Sequence, residues 1–164
     1  MQKAKRMKLE AVATPKDKLE LGSFYAMPEK DGYLLVMAAS INSKDVIVIL
    51  GTHGTQTSDD PPVWVWPSSI AASECYELKG THIFPAHSSG TMSPTGDSDR
   101  SPRHGELIED DQQRPFLFLK QKQDRLAILL DDGRAFPPFD ATLIYGRWRL
   151  LQNGAQLLEF EVFA

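Results

Sequence analysis

Residues 19–50, LELGSFYAMPEKDGYLLVMAASINSKDVIVIL, carry the pattern of three successive antiparallel strands. Leu19, Leu21, Phe24 and Ala26 recur with a period close to two around a joint at Gly22, and Pro28 ends the first strand. Glu29-Lys30-Asp31-Gly32 contains an Asp-Gly pair suited to the positive φ of a tight hairpin, and Tyr33–Ala39 then returns as a mostly apolar strand. Asn42-Ser43-Lys44-Asp45 is the next turn. Val46-Ile47-Val48-Ile49-Leu50 is rich in β-branched side chains, which lose rotamer freedom in a helix but fit a pleated surface, so it predicts a buried strand.

The 164 residues are enough for one domain with a sizeable core. Eighteen Lys and Arg stand against twenty-two Asp and Glu, a net charge of -4. The charge is uneven. Residues 1–18 hold six basic and two acidic groups, which leaves twelve against twenty, a net -8, for residues 19–164. An acidic body repels phosphate backbones and attracts cationic partners, so the composition argues against nucleic-acid binding and for a basic protein partner. The basic stretch 1–18, poor in aromatics and stopped by Pro15, is expected to be a flexible tail, and it has no apolar run of signal-peptide or membrane-span length. Cys75 is the single cysteine, which suits a reducing, cytoplasmic setting and a structural thiol.

Beyond Leu50 the chain alternates between loop and strand signals. Gly51–Pro62 is a loop containing Gly-His-Gly around His53 and the pair Asp59-Asp60. Val63-Trp64-Val65-Trp66 alternates strictly, which puts both tryptophans on one face of a short strand bounded by Pro61, Pro62 and Pro67. That face is either a core pillar or an aromatic interface anchor. An acidic rim at Asp59 and Asp60 beside an anchor at Trp64 and Trp66 is the sharpest binding site the sequence suggests, with Glu109-Asp110-Asp111 as a second acidic cluster. Ile70–Leu78, preceded by Ser68 and Ser69 as capping residues, predicts a short helix that ends at Gly80, and Thr81–Phe84 re-enters a sheet. Residues 85–113 lack apolar periodicity and predict a long exposed loop.

His82, His87 and His104 bracket that loop, with Asp97, Asp99 and Glu106 as possible oxygen ligands, but no second clustered Cys or His pair accompanies them, so no metal or cofactor is expected. Ser88, Ser89 and Thr91 lie near His87 without the Gly-x-Ser-x-Gly elbow of a hydroxyl nucleophile, and no catalytic residue is assigned. The C-terminal third returns to strands. Phe116–Lys120 and Arg125–Leu130 flank a polar turn, and Ala141–Leu151 and Gln156–Phe163 flank Asn153-Gly154, the strongest hairpin signal in the chain. Arg147 and Arg149 are placed to pair across that hairpin with Glu159 and Glu161. Eight or nine strands with one short helix and a long flexible loop predict a mainly β domain over residues 19–164, an antiparallel barrel or a two-sheet sandwich.

Leu21-Gly22-Ser23-Phe24-Tyr25-Ala26-Met27-Pro28, followed by Asp31-Gly32-Tyr33, resembles the opening of the bacterial immunity protein 26 family, where a Gly-x-x-Phe-Ala-Ile-Pro type strand leads through a Gly turn into a second strand. Here Tyr25 intervenes between Phe24 and Ala26. The resemblance implies a small cytoplasmic β protein that neutralises a toxin by occluding its active surface, with no catalytic residues of its own. Nuclease toxins hold phosphates in basic clefts, which an acidic inhibitor is suited to fill. The expected function is therefore that of a non-enzymatic, inhibitor or immunity-type domain for a basic partner. The alternatives are a ligand-binding or hydrolytic β-barrel using His53, His82 or His87, and a structural subunit of a larger assembly.

Overall fold

The computed structural model describes residues 11–15, 18–29, 32–53, 63–67, 74–85, 101–121 and 123–161. Its strands form three antiparallel sheets in a sandwich-like arrangement, and none of the three closes into a barrel. The largest sheet is built on the stretch read first. β2 (Phe24–Glu29), β3 (Gly32–Ile41) and β4 (Lys44–His53) form a meander, extended by β5 (Trp64–Pro67) on one side. On the other side β6 (Glu74–Leu78) pairs with β2, and β1 (Ala11–Pro15) pairs with β6. The hairpin from β3 to β4 turns through Asn42 and Ser43, both at positive φ, as the two-residue turn requires.

Both faces of this sheet are apolar, which explains why its central strands read as nearly unbroken hydrophobic runs. Leu35, Met37, Val48 and Leu50 point into the main core, while Leu34, Val36, Ile47 and Ile49 belong to a second buried cluster on the opposite face. A one-residue slip would exchange two apolar sets, so the alternation alone does not set the register, and the two-residue turn at Asn42-Ser43 fixes it for β3 and β4.

The second sheet follows the order β11-β10-β9-β8-β12, where β8 is Leu107–Glu109, β9 Pro115–Gln121, β10 Asp124–Leu129, β11 Ala135–Phe136 and β12 Leu143–Tyr145. The third sheet places β13 (Arg147–Gln152) between β7 (Thr81–Pro85) and β14 (Ala155–Glu161). Leu117, Leu119 and Ile128 from the second sheet meet Trp148, Leu150 and Phe160 from the third in the main core. The chain passes from one sheet to another at two short breaks, Lys79-Gly80 between β6 and β7 and Gly146 between β12 and β13.

Three sequence expectations are corrected. The helix over 70–78 is replaced, in its described part, by β6. Inserted between β1 and β2, its residues alternate at period two, Cys75 facing the outer cluster and Tyr76 and Leu78 the main core. Gly80 does have the positive φ expected beyond a helix end, 70°, but uses it in the turn to β7, where an added Cβ would lie 2.3 Å from Asn153 Oδ1. The expected tail over 1–18 contains β1, whose backbone pairs along the whole length of β6. Finally, the expected loop over 85–113 contains β8 with Gly105 and Glu106 buried before it, because Gly105 N–H donates to Phe118 O at 2.8 Å and Phe118 N–H to Glu106 O at 2.9 Å. Pairing to β9 and β12 orders a segment with no periodicity of its own. Residues 86–100 of that expected loop lie outside the described residues.

The C-terminal hairpin follows its sequence signal. Asn153 and Gly154 turn at φ 48° and 85°, and Glu159 accepts ion pairs from both Arg147 and Arg149 across β13 and β14. Among the described residues no helix is long and apolar enough to cross a membrane.

Candidate acidic and aromatic binding site

The expected partner-binding residues have different fates. Asp59 and Asp60 lie outside the described residues, as does His87. Trp64 and Trp66 project from β5 to the side away from the main core, where they pack half-buried on the outer cluster, opposite Ile49 and Ile47 in the strand register. Their rings meet edge to face at 5.8 Å. Cys75 is buried in the same cluster, and burial pushes its thiol up from the ordinary value, consistent with an inert structural thiol.

Glu109, Asp110 and Asp111 are neighbours in sequence, yet each has its own role. Glu109 faces Tyr145, whose hydroxyl donates to Glu109 Oε1 at 3.4 Å. Burial, and then the Glu109 charge, raise the Tyr145 hydroxyl above its ordinary value. Asp110 is 8% exposed and holds the turn from β8 to β9. Its Oδ1 accepts the Gln112 N–H at 3.0 Å and the Arg114 N–H at 2.8 Å, and its Oδ2 accepts the Arg114 Nε at 2.8 Å. Burial pushes its carboxyl up, but the backbone and side-chain donors of Arg114, the Gln112 amide and the Arg114 charge outweigh this and hold it below the usual range.

A carboxylate lowered in this way contributes stability that is complete above the ordinary carboxylate value and is lost as pH falls through the lowered one. Asp110→Asn is therefore expected to remove part of the acid destabilisation that wild type shows below about pH 4. Urea midpoints measured against pH check this. Parallel wild-type and variant profiles would assign the turn's stability to other groups.

Asp111 is exposed and lies at the rim of an open pocket of about 500 Å³ on the outer face of the second sheet. The pocket is built from the top of β9 and the connection between β11 and β12. Phe116 points away from the main core because Leu117 and Leu119 point into it. Pro137 and Pro138 follow β11, and Phe139 beyond them packs on Phe116 at 4.8 Å, while Phe136 meets Phe116 at 5.8 Å and 90°. Arg114 stands 5.6 Å from the Phe116 ring centroid, and Asp140 lines the pocket. Asp140, like Asp111, is exposed, and among the described residues neither has a salt bridge.

Sequence reading placed its acidic rim at Asp59 and Asp60 around Trp64 and Trp66 and offered Glu109, Asp110 and Asp111 only as a second acidic cluster, and it missed Phe116, Phe136, Phe139 and Asp140 as companions of Asp110 and Asp111. The signal was present in Phe136-Pro137-Pro138-Phe139-Asp140, which reads as a broken connection until its partner across the sheet is known.

The histidines form no common site among the described residues. His53 closes β4. His82 is exposed on β7 and meets Phe84 edge to face at 6.1 Å. His104 is structural: its Nδ1 accepts the Lys120 amide at 2.9 Å, so Nε2 carries the proton and donates to Val63 O at 2.6 Å. This bond ties the entry of β5 to β9, and Val63 is held there at φ 68°. Among the described residues no group of three His, Cys, Asp or Glu is placed to hold a metal ion. The chain matches no protein-family model, no curated protein and no solved structure.

Proposed function

We propose that this chain is a non-enzymatic protein-binding domain of the inhibitor or immunity type, which occludes the active surface of a basic partner such as a nuclease toxin. The observation that carries this reading is the open aromatic pocket formed by Phe116, Phe136 and Phe139, rimmed by the exposed carboxylates of Asp111 and Asp140. Aromatic side chains supply large contact area with few rotors, and uncompensated acidic groups steer a cationic surface toward them. The Arg114 guanidinium over Phe116 illustrates the chemistry, since a partner's arginine or lysine would find the same ring faces and two carboxylates. The resemblance of Leu21–Tyr33 to immunity protein 26 points the same way.

The test is affinity capture from the native host at low salt, with wild type and an Asp111→Arg/Asp140→Arg variant in parallel, followed by association kinetics with the recovered protein. Wild type is expected to retain one stoichiometric basic protein that is released as salt rises. The charge-reversed domain is expected to associate slower by on the order of tenfold to a hundredfold at low salt, with a flattened salt dependence. Unchanged kinetics would remove this rim from the interface, and recovery of the domain alone would count against the reading as a whole.

A further inference from the structure

A second cavity, of about 650 Å³, lies where the three sheets meet. Thr81, His82, Ile83 and Phe84 line it in unbroken succession, although Thr81 and Ile83 are buried and His82 and Phe84 exposed. No residue of β13 or β14 contributes to it. A cavity touched by both side-chain orientations of a strand, but not by that strand's neighbour, runs along its other edge. Among the described residues β7 pairs only with β13, so that edge is open.

The ladder gives the direction of the free backbone groups. Asn153 N–H donates to Gly80 O at 3.0 Å, which makes these two a hydrogen-bonded pair. Hydrogen-bonded pairs alternate along an antiparallel ladder, so His82 with Leu151 and Phe84 with Arg149 follow. The N–H and C=O groups of Thr81 and Ile83 then point away from β13, toward the cavity. Pro85 has no N–H and limits the edge at its far end.

One more group is left wanting there. Thr81 is 5% exposed and its Oγ1, buried, has no hydrogen-bond partner. An unpaired buried hydroxyl is unfavourable, and an occupant that reaches it restores the missing bond. The walls combine apolar and acidic chemistry. Phe24, Leu78 and Leu130 line the cavity together with Glu77 and Asp131, which outnumber Lys79.

We propose that this cavity is a strand-addition site, in which an extended segment of a partner protein pairs its main chain with Thr81 and Ile83. The segment has apolar side chains at alternate positions to meet Phe24, Leu78 and Leu130, a basic residue for Glu77 and Asp131, and a polar group within reach of Thr81 Oγ1. The volume falls within the range of about 300–1,000 Å³ found for ligand pockets, and main-chain pairing with side-chain pockets at alternate positions is how sheet edges recognise peptides. The site is separate from the acidic and aromatic pocket and stands or falls without it.

The test is selection of random linear heptapeptides, displayed on phage, against the full chain, with the best binder measured as a labelled synthetic peptide. Binding is expected to slow amide hydrogen exchange at Thr81 and Ile83. N-methylation at alternate peptide amides of one parity is expected to weaken binding at least about tenfold, while methylation at the other parity has little effect, because an edge engages only every second amide. Thr81→Val is expected to weaken the peptide about tenfold without lowering the unfolding midpoint of the free protein. Asp111→Arg/Asp140→Arg is expected to leave the peptide's affinity unchanged. Failure to select any peptide that protects Thr81 and Ile83, or equal loss from both methylation parities, overturns the proposal.

Discussion

Replacing Trp148 by alanine is expected to remove about 3–5 kcal/mol of stability, the usual effect of emptying a large aromatic site in a core. Trp148 is fully buried on the central strand of the third sheet. Its indole stacks on Phe160 at 4.9 Å and 11°, and its Nε1 donates to Gly105 O at 2.8 Å. The side chain therefore joins β13 to β14 by packing and to the segment before β8 by a hydrogen bond. Gly105 also packs closely on the stacked ring, since a Cβ there would approach Phe160 Cζ to 2.5 Å. Trp148→Phe separates the two contributions. It keeps much of the ring packing and leaves the buried Gly105 carbonyl unpaired, a loss of about 1–3 kcal/mol. Denaturant titration checks both variants, with the midpoint falling and the slope unchanged. A loss below about 1 kcal/mol for the alanine variant would mean that the core closes over the gap, contrary to the packing described.

The second large effect is expected at Gly133, where the turn after β10 crosses the largest sheet. Gly133 sits at φ 72°, and a Cβ added there would lie 2.6 Å from both Ala38 O and Gly22 N. These are backbone atoms already bonded to each other, Gly22 N–H donating to Ala38 O at 2.8 Å. Gly133 O also accepts the Ser40 N–H at 2.8 Å. No flexible side chain is available to move aside, so the strand itself must shift. Gly133→Ala combines a left-handed backbone penalty of about 1–2 kcal/mol with an overpacking penalty of about 1–3 kcal/mol. Gly154→Ala is the control. It shares the positive φ, 85°, but meets nothing within 4 Å, so only the backbone penalty applies. Equal losses at the two positions in thermal or denaturant unfolding would show that the crossing at Gly133 tolerates displacement.

Only two members of the candidate site, Asp110 and Asp111, were legible in the sequence. Asp110 and Asp111 were named for their charge, yet charge alone does not distinguish a carboxylate that closes a turn from one that faces solvent. Asp110 takes three hydrogen bonds from Gln112 and Arg114, and Asp111 none among the described residues. That difference depends on the local backbone path. Phe116 and Phe139 are twenty-three positions apart, and their contact at 4.8 Å exists only once the connection after β11 folds back over the sheet. The tryptophan pair was read correctly as one face of a strand. Which way it faced was decided by the sheet, which has two apolar faces and placed the pair on the outer one.

The sequence by itself determined the mainly β class, the three-strand meander, read over residues 19–50 and found over 24–53, and the C-terminal hairpin, because alternation and turn chemistry act between residues close along the chain. Only the tertiary structure decided β1, β6 and β8, the division into three sheets and the pocket of Phe116, Phe136 and Phe139. Residues 70–78 carry helix-like spacing and Ser68 and Ser69 before them a capping signal, each worth fractions of a kcal/mol. Pairing on both edges, with burial of Cys75 and Leu78, outweighs them. Where local preference is weak, the partner strand sets the conformation, and the partners of β6 lie 50 to 67 residues away in sequence.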